Sequence, residues 1–215
     1  MQKTNTKLFD SISERYDFYN TFLSLGIDRL WRRKYIKMVS NICSAPVLDV
    51  CTGTGDIAAR LQKKGFETVG CDISIQMLKK AHGKKIAANA EQLPFKDNLF
   101  ACVTIAFGIR NIDNIEKFLD GVTRVLQEGG HIAILELTMP SNFIIRKIYS
   151  LYLSLIVQRL GGLLTHKFSA YKYLTASIKN FMTPQELSQI MTGFNEIKIH
   201  KLTFGMASII IGKKQ

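Results

Sequence analysis

The chain has 215 residues, 47% hydrophobic and 21% charged, with 15 Gly and 4 Pro, a composition that suits one soluble domain and excludes collagen, coiled coil and intrinsic disorder. Its 29 Lys and Arg against 17 Asp and Glu give a formal charge of +12, which invites an acidic partner such as nucleic acid, membrane headgroups or a phosphorylated ligand. That excess is uneven: Leu137 to Gln215 carries 10 basic and 2 acidic residues, the preceding 136 residues 19 and 15.

The opening MQKTNTKLFDS has no secretory pattern, so the sequence reads as cytoplasmic. Four cysteines, Cys43, Cys51, Cys71 and Cys102, form no C-x-x-C pair. They are expected to be reduced thiols, without zinc or a disulfide framework. Phe9 to Lys37 is predicted helical and precedes the first strand. Buried strands are then predicted at Val47–Val50, Thr68–Cys71, Lys85–Ala88, Cys102–Phe107 and His131–Leu135. Helices are predicted between them at Asp56–Lys64, Ser74–His82 and Ile115–Gln127, with Ser74 as an N-cap and Gly129-Gly130 as a break. Such alternation indicates a doubly wound α/β sheet.

Phe143 to Leu164 is apolar, but Arg146, Lys147 and Arg159 leave only Ile148 to Gln158 uncharged, short of the roughly 20 residues of a membrane span. A capped helix from Thr183-Pro184 to Met191 follows. Glu196–Leu202 and Met206–Gly212 should then pair as an antiparallel hairpin on the sheet edge.

The first strand runs through Asp49 into Cys51-Thr52-Gly53-Thr54-Gly55-Asp56, a two-glycine turn opening a helix. Glycines let the backbone pass close under a ligand, and a helix start presents N–H groups. The pattern fits the dinucleotide fingerprint, yet Asp49 would repel a pyrophosphate and attract a cation. S-adenosylmethionine, with its sulfonium and ammonium, satisfies that demand. Asp72, closing the second strand, can accept ribose hydroxyls of either nucleotide. Asn89 to Phe95 offers an amide beside apolar side chains for an adenine. A strand-end cap or loop carboxylate is the competing reading of either aspartate alone.

Phe9-Asp10-Ser11-Ile12-Ser13, Tyr16-Asp17, Gly26 to Lys34, the Leu48–Asp56 turn, Asn89 to Phe95, Phe107-Gly108-Ile109-Arg110-Asn111 and Tyr171 to Leu174 together resemble the menaquinone and ubiquinone C-methyltransferase family, over nearly the whole chain. The resemblance implies a class I S-adenosylmethionine-dependent methyltransferase fold, Rossmann-like, with a seven-stranded mostly parallel sheet and an antiparallel C-terminal strand. It implies S-adenosyl-L-methionine as donor and a polyprenyl quinol as acceptor: demethylmenaquinol by preference, a methoxy-benzoquinol as alternative. Thr54, Asp72, Asn89 and Ala90 fall on the family's cofactor-contacting positions. Ala106 replaces the usual Ser at another, leaving only backbone contact. With Asp49, Gly53 and Gly55 these make the expected cofactor site.

Arg110 is expected to stabilise a quinol phenolate, pairing with Asp113 or its own turn's carbonyls being the alternative. Asp10 and Tyr16 are secondary catalytic candidates. His166 is a further candidate base in a segment that departs from the family's pattern, and no metal is expected. Within one domain the chain divides into an N-terminal helical cap (1–42), a cofactor-binding core (43–137), substrate-covering helices (138–182) and a C-terminal helix and hairpin (183–215).

The apolar stripe around Ile144, Ile148, Leu151 and Leu155 reads either as a core-covering helix or as an entrance for a polyprenyl tail resting on anionic lipid, at the inner face of the membrane. RNA modification or nucleic-acid binding is the competing class, lacking any recognisable RNA module here. A cofactor-binding scaffold without activity is the third.

Overall fold

Seven strands form one sheet in a computed structural model that describes residues 26–165 and 168–215 together with Thr21 and Ser24. They are β1 (Val47–Val50), β2 (Thr68–Asp72), β3 (Lys84–Ala87), β4 (Phe100–Ala106), β5 (Leu126–Leu137), β6 (Phe194–Leu202) and β7 (Ala207–Lys214), in the order β3-β2-β1-β4-β5-β7-β6. Neighbours from β3 through β5 pair parallel. β7 inserts antiparallel between β5 and β6, so the predicted hairpin forms and β6 becomes the edge.

The central strands are buried on both faces, and alternate residues feed two separate cores. On one face α1 (Ile27–Ile42) and α2 (Asp56–Gln62) pack Trp31, Tyr35, Val39 and Leu61 against Val47, Leu135 and Ile209. The Tyr35 hydroxyl donates to the Ala133 carbonyl at 2.7 Å, so this deeply buried phenol is satisfied by the sheet itself. After β2, α3 (Ile75–Leu78) is capped by Ser74, whose hydroxyl accepts from Met77 N at 3.1 Å. On the opposite face α4 (Ile115–Val125) packs Phe118, Val122 and Val125 against Leu48, Val103 and Ile132.

An arm then leaves the sheet. α5 (Phe143–Tyr152) continues through π-helical turns (Leu153–Leu160) into α6 (Gly161–Thr165), and α7 (Phe168–Asn180) folds back. Tyr149, Leu153 and Val157 meet Tyr171 and Ile178 in a third, small core. α8 (Pro184–Ile190) begins with a capping box between Thr183 and Glu186, the reciprocal arrangement that satisfies two orphan N–H groups.

Three expectations need correction. β3 is exposed at all four residues rather than buried, because it is the sheet edge. The helix before the diglycine stops at Val125, and Leu126, fully buried opposite Phe100, already begins β5 with Gly129-Gly130 inside the strand. Cys43 and Cys102 are joined by a disulfide with a Cα–Cα distance of 5.6 Å. The register of β1 on β4 brings Val47 opposite Cys102, which carries Cys43, four residues upstream, to its partner. Cys51 and Cys71 remain thiols.

Candidate active site

At the carboxyl ends of β1, β2 and β4 the chain turns away from the sheet, and a cavity of about 450 Å³ opens above them. This is the crevice that an open α/β sheet offers a ligand. Asp49 lies at its floor, 1% exposed. Its two oxygens accept from the Thr52 hydroxyl at 2.6 Å and the Thr104 hydroxyl at 2.8 Å. Burial pushes its carboxyl up to about 6, against the lowering effect of those hydroxyls. A carboxylate held at such cost is well matched to a cationic ligand.

Asp72 ends β2 on the same wall, its oxygens accepting from Gly53 N at 2.9 Å and Ser74 N at 2.8 Å. Those two amides orient the carboxylate across the mouth of the turn. Gly53 and Gly55 have φ of +57° and +84°. At Gly55 a Cβ would lie 2.9 Å from the Ala81 Cβ, so the position admits no side chain on either count. Gly55 sits beneath the cavity instead of lining it, and its N–H donates to Thr52 O at 2.9 Å. Its contribution is therefore to the turn's shape rather than an amide offered to a ligand.

Cys51, Thr54, Asn89, Ala90, Ala106 and Arg110 line the same cavity as Asp49, Gly53 and Asp72. The Asn89 side-chain oxygen accepts from Glu91 N at 2.9 Å, which fixes the loop after β3. Ala106 is the last residue of β4, before Phe107 at φ +57°. Burial pushes the Cys51 and Cys71 thiols up, with nearby carboxylates adding to the effect, so neither serves as a base at neutral pH.

Arg110 stands in the one-turn 3-10 helix Ile109–Asn111 after β4, its side chain only 2% exposed. Its Nη1 donates to the Phe107 carbonyl at 2.7 Å and to Glu136 Oε1 at 2.5 Å. Own-turn pairing is thus present, and the carboxylate paired with the guanidinium is Glu136 rather than Asp113. Asp10, Tyr16 and His166 lie outside the described residues.

Other cavity residues were not singled out for the site from the sequence. Arg32 reaches from α1 to Asp56 at 3.0 Å and Asp28 at 3.6 Å, with its guanidinium 5.0 Å from the Phe107 ring centroid. Trp31 Nε1 donates to Thr203 Oγ1 at 2.8 Å, tying this wall to the β6–β7 connection. Tyr149, Tyr152, Leu153, Val157, Leu174 and Ile178 from the arm form an apolar far wall. The Tyr149 and Tyr152 rings stack with centroids 6.3 Å apart. Burial pushes the Tyr149 phenol up.

The donor set fits S-adenosylmethionine. The buried Asp49 carboxylate suits a cationic group, Asp72 at a strand end could receive a ribose diol, and Asn89, Ala88 and Ala90 line the same cavity where a planar base would fit. The apolar far wall offers the cofactor nothing further and suits a second, aromatic or aliphatic molecule.

Comparison with known proteins agrees with that geometry. The family model described as the ubiE/COQ5 methyltransferase family matches residues 1–214. The chain is similar to a demethylmenaquinone methyltransferase of Thermotoga maritima, 39% identical over 221 residues that cover 98% of this chain and 96% of that one. It is similar also to a ubiquinone/menaquinone biosynthesis C-methyltransferase of Geobacter sulfurreducens, 39% identical over 96% of this chain and 87% of that one. Among solved structures, a SAM-dependent methyltransferase of Thermotoga maritima superposes with a TM-score of 0.68 at 19% identity, covering 97% of this chain and 99% of that one. The last similarity establishes the fold.

Proposed function

The chain belongs to the ubiE/COQ5 methyltransferase family, and on that premise we propose that it methylates a ring carbon of a reduced polyprenyl quinone, with demethylmenaquinol the preferred acceptor. The observation that carries this reading is the continuity of the cavity. Its acidic half, Asp49 and Asp72, opens directly into the apolar half of Tyr149, Tyr152, Leu153 and Val157, so donor and acceptor can share one water-poor space. Arg110 stands beside both halves.

S-adenosylmethionine, when bound, supplies an electrophilic methyl group. The protein's task is to orient a quinol ring against it and exclude water, which removes much of the entropic barrier. The Arg110 guanidinium, permanently charged, stabilises negative charge on a phenolic oxygen. Electron density from that oxygen makes the adjacent ring carbon nucleophilic. With the cofactor bound, that carbon would take the methyl group as the methyl–sulfur bond gives way to a neutral thioether, and the ring proton would pass to solvent as product leaves, restoring aromaticity. Asp49, Gly53, Thr54, Asp72, Asn89, Ala90 and the Ala106 backbone hold the cofactor in this reading.

A lipid acceptor also gives the arm a purpose. Phe143, Ile144, Ile148 and Leu151 are each more than half exposed, while Tyr149, Leu153 and Val157 on the other face are buried. A helix apolar on both faces needs a second partner. Ile148 belongs at once to that exposed face and to the cavity wall, and Arg146 and Lys147 are exposed beside it. We read this as peripheral contact with an anionic membrane through which the prenyl tail enters. No helix among the described residues is long and apolar enough to cross a membrane.

The deciding assay offers reduced demethylmenaquinone and a reduced methoxy-benzoquinone side by side, with product identified by mass. Methylation of the naphthoquinol is expected. Faster turnover of the benzoquinol moves the preference to the ubiquinone branch, and turnover of neither by protein that binds S-adenosylmethionine overturns the reading. Arg110→Ala should leave cofactor affinity within about twofold and slow transfer by about two orders of magnitude, the scale of losing one electrostatic donor. Equal loss of both would assign Arg110 to structure.

A further inference from the structure

Glu136 is the only acidic residue on β5 that is fully buried, at 0% exposure, one position before the strand's end. It does not line the cavity, yet its carboxylate bonds to residues that do, Arg110 and Leu137. Oε1 accepts from Arg110 Nη1 at 2.5 Å and from Leu137 N at 2.7 Å, and Oε2 accepts from Arg110 N at 3.3 Å. One carboxylate thereby grips Arg110 at both its main chain and its guanidinium. The two side chains are 1% and 2% exposed, so solvent does not screen them and the cation's field at the cavity depends on its partner.

We propose that Glu136 is the positioning residue of this enzyme: it aims the Arg110 guanidinium at the phenolic oxygen of the acceptor and sets how much positive charge that oxygen meets. The inference rests on the quinol reading above. Bare, the guanidinium would hold a phenolate so firmly that its ring carbon loses nucleophilicity. Neutralised in part, it favours ionisation without quenching reactivity. The pair thus tunes the acceptor rather than merely closing a gap in the core.

Other charged and titratable groups around the pair are identifiable. Tyr149 of α5 and Cys51 after β1 both sense Glu136, and burial keeps both protonated through the neutral range. Tyr152 stacks behind Tyr149, Tyr173 of α7 donates to Asn111, and Arg32 of α1 lies over Phe107 in the same connection. Asp49 and Asp72 face the cavity from β1 and β2.

The test is the pH dependence of kcat for naphthoquinol methylation in Glu136→Gln, which keeps the shape and loses the charge. The limb assigned to acceptor ionisation should move down by about one pH unit, the scale of removing one neighbouring charge, with a lower plateau and unchanged S-adenosylmethionine affinity. Glu136→Asp should lower kcat with the limb in its wild-type place, and it serves alone should the Gln variant not fold. An unmoved limb in the Gln variant, or a limb displaced in the Asp variant, overturns the proposal even where activity falls. If the wild type turns over no quinol, the parent reading fails separately. The comparison then passes to 4-methoxy-1-naphthol, whose ionisation in the presence of each protein is followed by absorbance. A lower apparent pKa with the Gln variant is expected, and equal values overturn the proposal.

Discussion

Asp49 shows how one buried carboxylate links stability, pH and ligand choice. Its folded pKa, about 6, lies above the ordinary 3.8 because burial disfavours the charge. A raised carboxyl pKa contributes stability that is fully present below pH 4 and lost as pH rises through 6, here about 3 kcal/mol at roughly 1.4 kcal/mol per unit. Denaturant melts of the cofactor-free protein should show this loss between pH 4 and 7. Asp49→Asn should flatten it, leaving the variant more stable than wild type at pH 7.5 and weaker in S-adenosylmethionine binding by about tenfold or more. Identical pH profiles for the two proteins would remove Asp49 from this role. Asp49 and Asp72 were legible in the sequence because Asp49 interrupts an apolar strand run just before its turn and Asp72 closes another. Glu136 left a fainter mark, a charge inside Ile132–Leu137, and only its contact with Arg110, 26 residues away in sequence, gives it meaning.

Connections between elements, more than the elements, decide the site. The turn after β1 and the turn after β4 touch: a Cβ on Gly108 would lie 2.5 Å from the Cys51 Cβ and 3.2 Å from Ile105 Cγ1. Cys51 itself is held at φ +53°, so neither side can easily give way. Gly108→Ala should cost about 1–3 kcal/mol by overpacking and displace the Ile109–Asn111 turn that carries Arg110, slowing transfer beyond the stability loss. Gly121→Ala is the control. Within α4 its Cβ would meet nothing closer than 3.9 Å, and replacing a mid-helix glycine should stabilise by about 0.5–1 kcal/mol. Thermal melts and kcat for both variants decide the matter, and equal behaviour would refute it. Short apolar runs revealed β1, β2 and β4 in the sequence, but exposure of β3 and the early stop of α4 follow from neighbours, which such runs do not encode.

Across the whole molecule, the positive charge divides by structural task. On the hairpin, Lys198 and Lys201 stand exposed on the edge strand β6, where lysine discourages pairing with another sheet, and Lys213 and Lys214 pair with Glu196 at 3.4 Å and Glu128 at 2.8 Å. On the arm, Arg146, Lys147, Arg159, Lys172 and Lys179 are exposed around the apolar face. Binding to anionic vesicles by flotation should therefore weaken with salt and be largely lost in Ile144→Ser/Leu151→Ser, while Lys198→Ser/Lys201→Ser leaves it unchanged. Equal losses in the two double variants, or binding to neither charged nor neutral vesicles, would sink the membrane reading. By itself the sequence determined the α/β alternation, the two-glycine turn with its two neighbouring aspartates, and the family, because those signals are local: apolar runs, turn residues and short motifs. Tertiary structure alone decided the partner of Arg110, the Cys43–Cys102 bond, the joining of an acidic and an apolar half into one cavity, and which basic residues surround an exposed apolar face. Those depend on residues distant in the chain meeting across strand register and helix packing, and no local pattern records such meetings.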